Sequence, residues 1–328
     1  MRIVYFGTPD IAVPYLRALT DAGHDLRLVV TQPDRPAGRG QDLRASPVKL
    51  AAQALGLPVC QPESCRDLAL QRAIRDSGAE LGVVVAYGKL LPCDLLECPS
   101  HGCLNVHYSL LPQLRGAAPV QRALLAGMAE TGVTVQWMGA ELDAGDILLA
   151  ERVPIDRQDD CAALFAKLNA VGVPLLLCAL RLISRGEARR TAQDESRVTW
   201  APELSKDECR IDWSWPAARI RELVRACAPR PGAFTFRGGR RLKVLRAEVV
   251  PPDAAGGEGQ PGTLAETRYQ GYPVVHAGTG AVALVQVQPE GRQPMSGAEF
   301  ARGARFARGE SFGRETGGSR GRFNGSSG

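Results

Sequence analysis

Long uninterrupted apolar runs are missing from this chain. No stretch of about 18 apolar residues occurs among its 328, so the sequence predicts no membrane span. The opening Met1-Arg2-Ile3-Val4-Tyr5-Phe6-Gly7 enters an apolar strand at once. That leaves no room for a signal or transit peptide and predicts a cytoplasmic protein. Neither G-x-G-x-x-G nor G-x-x-x-x-G-K-[ST] is present, so nothing points to a dinucleotide or a nucleoside triphosphate. Cysteine is not scarce, but the nine are odd in number and come without a secretory leader. Disulfides are not expected in that setting. Cys93, Cys98 and Cys103 recur every five residues with His101 nearby. That is not a standard zinc spacing, and no metal is expected. No internal repeat is visible.

What is present suffices for a core. Hydrophobic residues make up 45% of the chain, and its length allows one large domain or two ordinary ones. In the first part strand and helix patterns alternate. Ile3–Phe6 is a short apolar run ended by Gly7, and Pro9 opens a helix over 11–22 that Gly23 closes. Strands are predicted over 26–31, 81–86, 102–107, 133–138 and 147–153. Helices are predicted over 48–55, 66–77, 119–126 and 159–184, the last interrupted near Pro174. Residues 32–49, with three Pro, two Gly and three Arg, read as a loop. The run 81–86 is wholly apolar, as interior strands of parallel sheets are. These alternations predict a doubly wound, Rossmann-like α/β domain over 1–188. Residues 189–205 read as a surface linker. From 206 the pattern changes to a helix over 216–228 and short strands near 232–237, 241–249, 261–266, 272–277 and 281–288. That predicts a smaller β barrel over 206–313, followed by a Gly- and Ser-rich tail, 314–328, expected to be disordered.

Charge is unevenly spread. Residues 1–205 carry 21 Lys and Arg against 23 Asp and Glu, a balance of −2. Residues 206–328 carry 19 against 12, hence +7. A near-neutral part joined to a basic one suggests an enzyme core with an appended polyanion-binding module. Ordinary surface solubility would also account for it. Residues 219–246 alone hold nine Lys and Arg and one Glu, with Phe234 and Phe236 between them. A basic strand face with Phe suits RNA backbone and base stacking.

The chemistry concentrates at 105–119 and 142–146. Asn105 and His107 stand two apart, so on a strand they point to one face. An amide donor and a titratable ring then share a pocket wall. Asp143, arriving from a separate segment, supplies the carboxylate that such a histidine needs. This set suits stabilising an oxyanion and moving a proton. No plausible nucleophile stands beside His107, so no covalent intermediate is expected. Ser109-Leu110-Leu111-Pro112 follows the His107 strand and offers apolar side chains and main-chain amides to a flat ligand. Arg35, Arg39 and Arg44 place three guanidinium groups on the 32–49 loop, able to reach phosphates and stack on bases.

Asn105-Val106-His107, Ser109-Leu110-Leu111-Pro112, Arg115-Gly116-Ala117-Ala118-Pro119 and Leu142-Asp143-Ala144-Gly145-Asp146, in this order, resemble the folate-dependent formyltransferases. Phe6-Gly7-Thr8-Pro9-Asp10 and the loop Gln32-Pro33-Asp34-Arg35-Pro36-Ala37-Gly38-Arg39-Gly40 narrow the resemblance to members acting on methionyl-tRNA. It runs from residue 2 to about residue 310. It implies catalytic roles for Asn105, His107 and Asp143, with 10-formyltetrahydrofolate as formyl donor and no metal. It implies folate binding at Ser109, Leu110, Leu111 and Pro112, with Tyr87, Gly88 and Leu90 across the pocket. The implied partner is initiator methionyl-tRNA, held by Arg35, Arg39 and Arg44 and by Arg240, Arg241 and Lys243 of an OB-like C-terminal domain. A monomer in the bacterial cytosol, without membrane attachment, is expected. Two departures stand out: Arg230-Pro231-Gly232-Ala233-Phe234 replaces a Trp-containing segment, and Tyr108 stands where a small residue is common.

Overall fold

The computed structural model describes residues 1–37, 42–304, 306–307 and 309–313. The expected tail 314–328 and Arg39 lie outside the described residues. The chain divides into two compact units. One takes residues 1–123, 128–157 and 163–203; the other takes 124–127, 158–162 and the chain from 204 onward.

The first unit is built on β1 (Arg2–Gly7), α1 (Val13–Asp21), β2 (Asp25–Val30), β3 (Arg35–Ala37), β4 (Asp42–Arg44), α2 (Pro47–Ala54), β5 (Val59–Cys60), α3 (Leu68–Asp76) and β6 (Leu81–Val85). It continues with α4 (Cys93–Leu96), β7 (Cys103–His107), α5 (Pro119–Leu125), β8 (Glu130–Trp137), β9 (Ile147–Pro154) and α6 (Cys161–Ser184), save the last two residues of α5 and the first two of α6, which fall in the second unit. Seven strands form one sheet in the order β5-β2-β1-β6-β7-β8-β9. The strands from β5 to β7 run parallel, while β8 and β9 are antiparallel additions at one edge. On one face Val4, Phe6, Leu28, Val30 and Val84 pack with Leu70 and Ile74 of α3 and Leu95 of α4. On the other, Tyr5 is fully buried, and its hydroxyl donates to Ala12 O at 2.6 Å.

Four expectations need correction here. The 32–49 segment is not all loop, because β3 and β4 pair as a hairpin and α2 starts at Pro47. Ser46 caps α2 by accepting from Lys49 N. Helix α6 is not interrupted at Pro174 but runs through 24 residues. Pro174 lies on the exposed side, so the carbonyl that loses its intrahelical partner is not shut into the apolar core. The absence of a long apolar run also needs restating. By length and composition α6 is apolar enough to cross a membrane, an 18-residue stretch of it having a mean hydropathy of 1.9. Its buried positions, Cys161, Leu164, Leu168, Gly172, Leu176, Ala179 and Leu180, form one stripe at helical spacing. A Cβ on Gly172 would stand 2.1 Å from the Tyr15 hydroxyl, so the glycine is what lets α6 close on α1. Finally, 189–205 is no mere surface linker. Thr191 exchanges two backbone hydrogen bonds with Ile147, and Thr199 and Ala201 bond with Arg115.

The second unit holds α7 (Ala217–Cys227), β10 (Ala233–Arg237), β11 (Arg240–Val250), β12 (Leu264–Tyr269), β13 (Tyr272–His276), β14 (Ala281–Pro289), β15 (Met295–Ser296) and α8 (Gly297–Gly303). Its sheet is antiparallel, in the order β10-β11-β14-β13-β12, with β15 on β14. The sheet edges do not stay open. Ser311 bridges Thr263 just before β12, and Phe312 bridges Arg237 at the end of β10. The core joins Ile220, Leu223, Val224 and Cys227 of α7 to Leu242, Val244, Val282 and Leu284. The short helix α8, closed by a capping box between Ser296 and Glu299, was not foreseen from the sequence.

Candidate active site

The carboxyl ends of β1, β2, β6 and β7 gather at one edge of the first sheet, where open α/β sheets hold their ligands. Thr8 follows β1, Gln32 follows β2, Tyr87 and Gly88 follow β6, and Ser109 to Pro112 follow β7. The Tyr87 carbonyl accepts from Thr8 Oγ1 at 2.9 Å and from Gln32 Nε2 at 2.8 Å, so three of these loops are tied together. Gly88 has φ +81°, and a Cβ there would stand 2.6 Å from Gln32 Nε2.

The register of β7 on β8 sets the centre of the site. Asn105 stands opposite Gln136, and His107 opposite Thr134. Paired residues share a face of the sheet, so four polar side chains line one patch within otherwise apolar strands. The loop between β8 and β9 returns Asp143 over this patch. Asp143 Oδ1 accepts from Asn105 Nδ2 at 3.2 Å and from Gln136 Nε2 at 3.2 Å. Its Oδ2 accepts from Gly116 N at 2.9 Å and lies 3.6 Å from His107 Nδ1. The side chains of His107 and Asp143 are only 6% and 10% exposed. On its other side, His107 Nε2 lies 2.9 Å from Leu114 O. Both ring nitrogens therefore face acceptors. A doubly protonated ring donates to both, whereas either neutral tautomer turns one lone pair toward an oxygen.

The backbone bends sharply to make this possible. Asp143 and Leu114 lie in the left-handed region at φ +52° and +60°, a conformation that costs non-glycine residues free energy and concentrates at functional sites. Gly145 admits the loop: a Cβ there would lie 1.7 Å from Trp137 O.

The other expected site residues take varied places. Ser109 is buried, with its hydroxyl donating to Gln113 O at 2.6 Å. Its carbonyl accepts from Thr134 Oγ1 at 2.7 Å, and the Thr134 hydroxyl in turn accepts from Leu111 N at 3.2 Å. Ser109 thus closes the turn and spends its hydroxyl inside it. Leu111 and Pro112 are buried, Leu110 is half-buried against Gly132, and Leu90 is 76% exposed. The Tyr87 ring sits in the core, edge-on to Phe6 at 5.6 Å, and burial pushes its phenol up. Tyr108 also points into the core, donating to Asn169 Oδ1 at 2.8 Å. That explains how a large residue is accommodated beside the site.

Arg35 and Arg44 are exposed and directly opposite in the β3–β4 hairpin. Like charges so placed repel, an arrangement that suits an anionic ligand. In the second unit, Arg240 is exposed, and Lys243 stands opposite Phe234 in the β10–β11 register. The Arg241 guanidinium lies 3.7 Å over the Phe234 ring, and Arg210, which the sequence reading missed, lies 5.4 Å over Phe236. The three thiols at 93, 98 and 103 diverge. Cys93 is exposed, Cys98 donates to Asp94 O, and Cys103 is buried, with its thiol pushed up to about 12. No cluster suited to a metal occurs among the described residues.

Sequence reasoning also missed Gln136, Gln193 and the side chain of Arg115. Gln136 had a signal, being a polar residue two from Thr134 in an apolar strand. Gln193 had none.

With this geometry in view, the comparisons with known proteins place the chain in a class. Residues 1–180 match the formyl transferase family, and residues 203–305 match the formyl transferase C-terminal domain. The chain belongs to the formyl transferase family. It is 45% identical over 300 residues to a methionyl-tRNA formyltransferase of Moorella thermoacetica, covering 92% of this chain and 95% of that one. Among solved structures, HypX from Aquifex aeolicus in complex with tetrahydrofolic acid superposes with a TM-score of 0.65 at 18% identity, over 94% of this chain and 48% of that one. An N-formyltransferase from Helicobacter canadensis, in complex with folinic acid and dTDP-3-aminofucose, superposes at 0.63 and 15% identity, over 88% and 98%. At those identities the two structures share the fold.

Proposed function

We propose that this protein transfers the formyl group of 10-formyltetrahydrofolate to the free amino group of initiator methionyl-tRNA, giving N-formylmethionyl-tRNA for translation initiation. One observation carries the reading: Asn105, His107 and Asp143 converge within hydrogen-bonding or ion-pair reach in a chain alike a methionyl-tRNA formyltransferase over nearly its whole length. In the reaction the amine nitrogen bonds to the formyl carbon, the bond from that carbon to N10 breaks, and one proton passes from the amine to N10.

The chain's residues fit both demands of that reaction. Asn105 gives one amide hydrogen to Asp143 and keeps a second for the formyl oxygen, where negative charge develops. His107 holds or passes the proton, and Asp143 orients the ring and stabilises its charged form. The folate would lie along the strand ends, between Leu110, Leu111 and Pro112 on one side and Gly88 and Leu90 on the other. The exposed Leu90 and half-buried Leu110 offer apolar surface suited to a flat pterin. Tyr87 and Ser109 would serve through the backbone they hold in place.

The tRNA contacts fall to Arg35, Arg39 and Arg44 of the 32–49 segment and to Arg240, Arg241 and Lys243 of a tRNA-binding domain over 206–313 with an OB-like fold. The chain acts as a cytoplasmic monomer without membrane attachment. The test offers 10-formyltetrahydrofolate together with charged initiator tRNA, an amino-sugar nucleotide or glycinamide ribonucleotide, and follows tetrahydrofolate release. Turnover with charged tRNA alone is expected. Turnover with a small amine and none with tRNA would replace this reading.

A further inference from the structure

A chain of hydrogen bonds outside the three proposed catalytic residues ends on Asp143. It begins at Arg115, whose side chain is only 3% exposed. The Arg115 guanidinium pairs in a fork with Glu195, at 2.7 Å and 3.2 Å, and donates to Gln193 Oε1 from Nε at 3.1 Å and Nη2 at 2.9 Å. A guanidinium only donates. It therefore fixes which end of the Gln193 amide faces it, and turns the NH2 the other way. That NH2 meets three acceptors: Gly145 O at 2.7 Å, Asp143 O at 2.8 Å and Gln136 Oε1 at 3.2 Å. Because Gln136 accepts through its oxygen, its own NH2 turns to Asp143 Oδ1 at 3.2 Å. Each link dictates the orientation of the next, from a buried cation to the carboxylate.

The Asp143 loop needs such support. Asp143 sits at φ +52°, and its carbonyl and that of Gly145 each accept from Gln193. We infer that Gln193, itself oriented by Arg115, is a positioning residue for Asp143. It holds the strained loop by two carbonyls and aims the Gln136 amide at the carboxylate. The inference rests on the proposed role of Asp143 in formyl transfer.

The test uses the full chain with 10-formyltetrahydrofolate and charged initiator tRNA. Gln193→Met keeps the shape and removes every hydrogen bond. Gln193→Glu keeps the pairing with Arg115, which favours folding, but points an acceptor at three acceptors. Both are expected to lower kcat on the order of 10–100-fold, the scale for misplacing a catalytic group by about an ångström. The KM for folate is expected to stay within about twofold, and the acid limb of the kcat–pH profile to move, because Asp143 no longer supports His107 in one geometry. A purely structural role would not move that limb. In an Asp143→Asn background, Gln193→Glu is expected to cost little more, since groups acting as a unit are not additive. Losses that multiply would overturn the inference, as would wild-type-like turnover by Gln193→Glu while Asp143→Asn is impaired. If Asp143→Asn retains full activity, the proposed role of Asp143 falls and the inference with it.

Discussion

His107 faces an acceptor at each ring nitrogen, and Asp143 receives three donors and the ring. These two residues leave Asn105 as the group with a donor to spare. Asn105→Ala and His107→Ala are each expected to lower kcat by about 10²–10³, the cost of losing one oxyanion donor or a proton carrier. Circular-dichroism melting is expected to change little, and turnover above half of wild type at either site would remove it from the mechanism. Asp143→Asn keeps the shape and is expected to act on kcat rather than on the KM for tRNA. Gly145→Ala tests the loop rather than the chemistry. Its Cβ would lie 1.7 Å from Trp137 O, so the loop must shift, and a fall in kcat with unchanged folate affinity in a fluorescence titration is expected. The spacing of Asn105 and His107 was legible from strand alternation. That Gln136 and Gln193 join them was not, because cross-strand register and the return of the 189–205 segment are long-range facts.

Two elements make separable expectations. In α6, Pro174 sits in an unbroken helix on its exposed side. Pro174→Ala restores a backbone donor and is expected to stabilise by about 2 kcal/mol, the helix penalty of roughly 3 less the unfolded-chain restriction that Pro supplies. A chemical-denaturation midpoint that falls instead would mean the ring makes a contact of its own. The β3–β4 hairpin is anchored at its base. Lys49 Nζ lies 2.6 Å from Asp34 Oδ2, and Gln61 Nε2 donates to Asp34 Oδ1 at 2.7 Å. The bond from Lys49, followed by that from Gln61, holds the Asp34 carboxyl below the usual carboxylate range. A carboxyl so lowered contributes stability above its unfolded value, near about 3.9, and loses it only as pH falls through the lower folded value. The anchor therefore persists throughout the neutral range. Asp34→Asn is expected to raise the KM for charged tRNA at pH 7 without altering folate binding, and an unchanged KM would free the hairpin from this role. The sequence showed a Pro- and Gly-rich arginine loop here. It concealed the hairpin, since the pairing of Arg35 with Arg44 has no period to read.

For the whole molecule, the uneven charge is the feature to test. The chain from 206 carries +7, and part of it stacks on Phe234 and Phe236. If this face meets the tRNA backbone, affinity falls steeply with salt, because each neutralised phosphate releases counterions. Replacing Arg241 and Lys243 together by Ala is expected to weaken tRNA binding. The log–log salt slope is expected to flatten by about 1 for each phosphate left without its cation. Folate affinity is expected to stay the same. Slopes that match the wild type would move the tRNA-binding face elsewhere on the surface.

What the sequence determined by itself is local or ordered along the chain. The wholly apolar β6, the alternation of strand and helix, the basic second half and the Asn105–His107 pair all follow from neighbours within a few residues. Tertiary structure decided what depends on chain segments far apart in sequence. It paired Gln136 with Asn105 and brought Gln193 under Asp143. It turned Tyr108 and the Tyr87 ring into the core and closed the second sheet through Ser311 and Phe312. The physical reason is the same throughout: a side chain's period states which face it takes, but only packing states what that face meets.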